Sequence, residues 1–161
     1  YVLRTQIETL RRLKYRPTGG FSFSTLVDAA PAISASILDH ERREKPAADA
    51  VRAACVPVLV VADHLPQIVE SGQRVDLDVH VVNDLREPLD FAVVDAVATW
   101  PGGERRWRFG GEVPADDVVK VGRLRLDGWE ADESGDMELD LHLTAGGRFC
   151  HNSYRARVTT R

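Results

Sequence analysis

Met137-Glu138-Leu139-Asp140-Leu141-His142-Leu143-Thr144 alternates apolar and polar side chains without a break. Period two is the signature of a strand with one face buried and the other wet. Val75-Asp76-Leu77-Asp78-Val79-His80-Val81 carries the same rhythm. Working outward from these two segments, further strands are predicted at 57–63, 91–100, 105–109, 118–126 and 148–158. Turn chemistry separates them: Ser71-Gly72, Asn83-Asp84 with Pro88, Pro101-Gly102-Gly103, Ser134-Gly135-Asp136 and Gly146-Gly147. About seven strands in roughly a hundred residues predict an immunoglobulin-like β-sandwich over residues 56–161. The Cys–Trp–Cys pattern of antibody domains is absent, so the expectation is of architecture alone.

Residues 1–55 read differently. Leu3, Ile7, Leu10 and Lys14 share one helical stripe, Leu13 adjoins it, and Glu8 and Arg12 are spaced for a helical ion pair. Gly19-Gly20 then leads into a short strand at Phe21–Thr25, a polar loop, and a helix opening near Lys45-Pro46. One strand–loop–helix unit cannot bury both faces of its strand. Tyr1 is no initiator, and the expectation is of a tail belonging to a larger multidomain chain. The first helix and Phe21/Phe23 are then expected to expose apolar surface, or to be covered by a second copy.

The composition is that of a globular chain: 161 residues, 43% hydrophobic and 29% charged. Near the junction the longest uncharged run, Ala53–Ala62, is too short to cross a bilayer. Of 21 Lys/Arg and 25 Asp/Glu, nine and six lie in residues 1–55, so 12 and 19 lie in 56–161. An acidic β-domain argues against nucleic acid as a partner, and no membrane partner is expected. Cys55 and Cys150 carry neither a zinc spacing nor a disulfide framework. Two buried thiols, or one bridge from the junction to the last strand, are the readings open to them.

The polar residues offer little catalytic chemistry. His80 and His142 could meet across strands with Asp78 or Asp140 to hold a metal, but outward histidines on wet faces explain them better. His40, His64 and His151 read as isolated, so no metal site and no cofactor are expected. Asp39, Glu41 and Glu44 form a solvated loop, and no GxSxG elbow or phosphate-binding glycine loop occurs. Trp100, Trp107 and Trp129, with Phe109, could form a sugar-stacking platform, although aromatic residues on strands more often pack in cores or across strands.

Taken together, Gly19-Gly20, Phe21–Thr25, Leu26-Val27-Asp28, Ala30-Pro31, Ser34-Ala35-Ser36, Asp39 and Lys45-Pro46 resemble a known pattern. It is that of the last barrel strand and loop of glycoside hydrolase family 2 enzymes of the β-mannosidase type. Ile7-Glu8 with Leu10-Arg11-Arg12 looks like that family's preceding helix, and Asn152-Ser153-Tyr154 like the Asn–Tyr signature of its terminal sandwich. The resemblance implies that residues 1–55 are the remnant of a (β/α)8 barrel and that both catalytic glutamates lie upstream. No catalytic residue is then expected here. Ser24 and Ala30 stand where the family places aromatic residues at the floor of the sugar subsite. Because barrel sites form at the C-terminal ends of strands, Ser24 and Asp28 are the substrate-subsite candidates, with a turn or cap carboxylate as the other reading of Asp28.

The sequence thus predicts a mainly β chain, an immunoglobulin-like β-sandwich preceded by an α/β remnant of the end of a TIM barrel. The resemblance implies a non-catalytic part of a retaining exo-glycosidase acting on β-linked sugars. Its partners would be the catalytic barrel, the carbohydrate substrate of the parent, and a second copy through the exposed remnant. The alternatives are a stand-alone sandwich that binds carbohydrate or protein through Trp100, Trp107 and Trp129, and a degenerate barrel relative without catalysis.

Overall fold

The computed structural model describes residues 2–160; Tyr1, and the reading of it given above, lie outside the described residues. The chain divides into two compact units, residues 1–56 and 57–161.

In the first unit, helix α1 (Val2–Arg12) and helix α2 (Ala47–Ala54) flank a long irregular segment. The apolar stripe of α1 buries only partly, since Ile7 is 1% exposed but Glu8 and Arg11 are buried beside it. Both polar groups are held. Glu8 accepts from Arg4 Nε at 2.8 Å, one turn earlier. Arg11 Nη1 donates to the Ala54 carbonyl at 2.5 Å. A cation thus sits on the last turn of α2, where orphan carbonyls and the helix dipole favour it. Pro46 occupies the N-cap of α2 with φ −54°, the conformation its ring enforces.

The strand expected at Phe21–Thr25 is not formed, and residues 21–26 are irregular. A parallel barrel strand takes its backbone partners from two neighbours, and the described residues offer this segment none. What forms instead is a short backbone weave. Leu26 accepts from the amides of Ile37 and Leu38, Asp28 donates to the Leu38 carbonyl, and Lys45 donates to that of Ile37. Phe21 and Phe23 pack edge to face on one another, centroids 5.9 Å apart. Both remain exposed, as do Val2, Leu26 and Ile33.

The second unit is an immunoglobulin-like β-sandwich. Its eight strands are β1 (Val58–Ala62), β2 (Ile68–Glu70), β3 (Val75–Asn83), β4 (Leu89–Trp100), β5 (Gly103–Val113), β6 (Asp117–Leu126), β7 (Gly135–Ala145) and β8 (Arg148–Thr159). One sheet has the order β1-β3-β6 and the other β2-β8-β7-β4-β5. All pairs are antiparallel except β2 with β8. β2 escaped the sequence reading because three residues, one of them buried, carry no period. The alternation in β7 is realised: Met137, Leu139, Leu141 and Leu143 are each at most 2% exposed. They meet Val60, Val79, Val81, Leu124 and Leu126 of the facing sheet in one core. Each such side chain contributes roughly 1.5–3 kcal/mol on burial, so this core supplies the unit's cohesion.

A buried amide ties the β3–β4 loop to the core. Asn83 is fully buried; its Nδ2 donates to the carbonyls of Glu87 and Pro114 at 2.9 Å, and its Oδ1 accepts from the Leu85 amide. Cys55 and Cys150 are thiols, with Cys55 exposed rather than buried. Among the described residues, no helix is long and apolar enough to cross a membrane.

Candidate functional site

Four polar residues of the segment 28–45 form a hydrogen-bonded knot inside the first unit. Asp28, 7% exposed, is its centre. Its Oδ1 accepts from the hydroxyls of Ser34 and Ser36, the latter at 2.7 Å, and its Oδ2 accepts from Lys45 Nζ at 2.5 Å. Lys45 also donates to Ser36 Oγ at 2.8 Å, and the Leu38 carbonyl, 2.9 Å from the same hydroxyl, competes with Asp28 for its single proton. The lysine hydrogen bond, then those from Ser34 and Ser36, hold the Asp28 carboxyl down at about 2, and desolvation opposes them less strongly. Asp28 is therefore an ionised anchor for the loop, which is the turn-carboxylate reading. Ser24 lies on exposed irregular backbone and takes no part in the knot, so the two subsite candidates are not brought together.

The tryptophan platform is overturned. Trp129 is 2% and Trp100 9% exposed, and both belong to the sandwich core. Their rings meet edge to face at 5.4 Å. Each indole N–H is spent on a carbonyl: Trp100 on Glu130 at 2.9 Å and Trp129 on Gln73 at 2.7 Å. Trp107 is half-buried and packs against the same core. A buried indole with its donor satisfied cannot offer a face to a sugar ring.

The exposed aromatic rings lie elsewhere. Phe91 is 84% and Phe149 69% exposed. Phe91 sits in a β4 bulge with φ +53°, a conformation strained for a bulky residue. It borders a shallow cleft of about 500 Å³ with Val93, Asp95, Arg108 and Thr144. Beside that cleft, on the outward face of the five-stranded sheet, His142 stands directly opposite His151. The two imidazoles stack with centroids 4.7 Å apart, and Phe149 stacks on His142 at 5.9 Å. His151 Nε2 lies 2.9 Å from Asp140 Oδ1. One ligand atom from each of Asp140, His142 and His151 falls within 4.8 Å of the others.

The sequence reading joined His142 to His80, but His80 lies on β3 in the other sheet. It also set His151 apart. The signal that joins His151 to His142 is Gly146-Gly147. With φ +53° and +75° these residues adopt the two-residue hairpin turn that glycine permits, and this turn fixes Ala145 opposite Arg148 and hence 142 opposite 151.

No protein-family model matches this chain, and no curated protein matches it. Solved structures do resemble it in fold. Red sea bream transglutaminase aligns over 71% of this chain and 18% of its own, at 20% identity and TM-score 0.53. AvmM, which catalyses macrocyclization in alchivemycin A biosynthesis, aligns over 64% of this chain and 89% of its own, at 9% identity and TM-score 0.50. The alkylpurine DNA glycosylase AlkC of Pseudomonas fluorescens aligns over 68% and 32%, at 14% identity and TM-score 0.46. The chain thus corresponds to less than a third of the transglutaminase. At these identities the first two likenesses establish the β-sandwich and nothing about activity.

Proposed function

We propose that this chain is a non-catalytic C-terminal portion of a family 2 glycoside hydrolase resembling the β-mannosidases. In that parent, the sandwich packs on the catalytic barrel and the segment around Asp28 shapes the rim of the sugar site. One observation supports this reading. Four of the residues that carry the sequence resemblance, Asp28, Ser34, Ser36 and Lys45, are spread over 18 positions of the chain yet converge on one carboxylate. A motif whose members serve one loop conformation is a structural unit, and a rim loop has to be held this firmly to position a substrate.

The knot leaves no acid and base poised for chemistry. Asp28 is locked as an anion by a lysine, whereas a glycosidase acid needs a carboxyl with a raised pKa and a second carboxyl about 5–10 Å away. The hydrolysis itself is therefore assigned to glutamates of the parent barrel.

The test is to blot an extract of the source organism with an antibody raised against residues 57–161, then assay the captured protein on aryl β-glycosides. A polypeptide several times larger than 17.9 kDa that cleaves at least one aryl β-glycoside is the expected result. A native polypeptide of 17.9 kDa, or a larger one inert on the whole panel, would overturn the reading.

A further inference from the structure

We infer that Asp140, His142 and His151 form a binding site for a divalent transition-metal ion, of the Zn2+ or Ni2+ class, on the outward face of strands β7 and β8. This inference is independent of the proposed parent enzyme.

The argument begins with how that face is built. Two of its cross-strand rungs between β7 and β8 pair an acid with an arginine: Asp136 with Arg157 and Glu138 with Arg155, both at 3.1 Å. On the neighbouring strands Asp95 pairs with Arg108 at 3.1 Å and Glu104 with Arg106 at 2.8 Å. At the next two rungs the pattern breaks. Asp140 faces Ser153, and His142 faces His151, so Asp140 reaches diagonally to an imidazole rather than to a guanidinium. An arginine repels a cation and cannot ligate one, whereas a neutral imidazole is a metal ligand. The one part of this ladder with histidines is also the part where a carboxylate stands beside them.

The geometry suits an ion of this class. Tetrahedral zinc with bonds of about 2.0–2.2 Å sets its donor atoms roughly 3.3–3.6 Å apart. The Asp140–His151 donor pair is at 2.9 Å, and the third donor, on His142, is within 4.8 Å of both. The imidazoles are on an open face, so rotations of His142 and His151 close the remaining gap without moving backbone. Phe149 also stacks on His142, centroids 5.9 Å apart. Asp95, opposite His142 on β4, is held by Arg108 and is not counted as a ligand. Two nitrogens and one oxygen suit borderline metals of the Irving–Williams series and not Mg2+ or Ca2+, which take oxygen shells. Three protein ligands leave a coordination position open to water or to an exogenous donor.

The test is calorimetric titration of the full chain with ZnCl2 and NiCl2, with MgCl2 as the control. The expected result is saturable binding of Zn2+ and Ni2+ at a single site and no heat of binding with Mg2+. His142→Ala and His151→Ala should each weaken binding at least about tenfold, the lower end of what loss of even a supporting contact costs. His64→Ala, distant in sequence from the site, should leave it unchanged. His151→Gln, which keeps a hydrogen bond to Asp140 but not the ligand nitrogen, guards against a folding artefact and should lose the metal while keeping the thermal midpoint of the apo chain. Absence of Zn2+ and Ni2+ binding, or undiminished affinity in the His142 and His151 variants, would overturn the inference.

Discussion

Asn152 Nδ2, on β8 of one sheet, donates to the Val60 carbonyl, on β1 of the other, at 2.8 Å. Asp63 donates to Asp78, and Asp84 to Pro57, which makes 61 and 59 the residues of β1 that exchange hydrogen bonds with β3. The Val60 carbonyl and the Ala62 amide therefore face away from β3, along the open edge. Both are taken by side chains of β8: the carbonyl by Asn152, and the amide by the Tyr154 hydroxyl at 3.2 Å, which Asn152 also contacts at 3.0 Å. Here the Asn–Tyr pair found in the sequence has a physical task, closing the sandwich along one side.

Replacing Asn152 with Ala should therefore cost more than a surface substitution. The residue is 2% exposed, and its loss leaves a buried carbonyl without its donor, a penalty of about 1–3 kcal/mol. Urea unfolding should show a lower midpoint with an unchanged slope. A midpoint equal to that of the wild type would mean that water replaces the amide at no cost.

Gly122 is expected to tolerate no side chain. It lies beside the β3–β6 bulge, where Val79 pairs with Gly122 and His80 with Lys120. A Cβ there would stand 2.2 Å from Cδ1 and 2.5 Å from Cγ of Phe109. Gly122→Ala should destabilise the chain by about 1–3 kcal/mol through overpacking. Phe109→Leu in the same chain should recover part of that loss; strict additivity in the double-mutant cycle would argue that the ring is not the obstacle.

The Asp28 knot predicts a defined acid response. Its pKa is lowered from 3.8 to about 2 by folding, first through Lys45 and then through Ser34 and Ser36. The folded state thus binds the proton less well than the unfolded chain. The stabilising contribution is complete above about pH 4 and is lost as the pH falls through about 2. Amide exchange of Ser36, Leu38 and Lys45 should accelerate across that window in the wild type. In Asp28→Asn these amides should already exchange faster at neutral pH, with no step between pH 4 and 2; a step retained in the variant would assign it to another group.

Tryptophan emission should report burial. With Trp100 and Trp129 in the core and Trp107 half-buried, acrylamide should quench only a minor, accessible fraction. Adding soluble β-linked oligosaccharides should leave the spectrum unshifted. A sugar-dependent shift would return the indoles to consideration as a binding surface.

The strands that could be read directly were those with one wet face. In β7, Glu138, Asp140 and His142 mark the outer face against five buried apolar residues. Strand β4 was legible as a strand but not in phase. Its outer face carries Val93 and Val97 while its inner face carries Ala92, Ala96 and Ala98, so hydrophobicity alone did not say which way Trp100 points. In the first unit the strand at Phe21–Thr25 was inferred from local pattern, yet a strand needs hydrogen-bonding neighbours, and these are not among the described residues. The histidine cluster was hidden for a different reason. It is created by register, and register follows from the Gly146-Gly147 turn rather than from the identity of His142 or His151.

The parallel pairing of β2 with β8 joins Ile68–Glu70 to Arg157–Thr159, segments nearly ninety positions apart in the chain. During synthesis β2 finds no strand to lie against until the end of β8 has emerged. The β8-facing edge of β7 and the open side of β1 wait for the same strand. Such long-range closure makes for slow assembly, and it places the nascent chain's greatest exposure to chaperones and proteases in the interval before Thr159 is made.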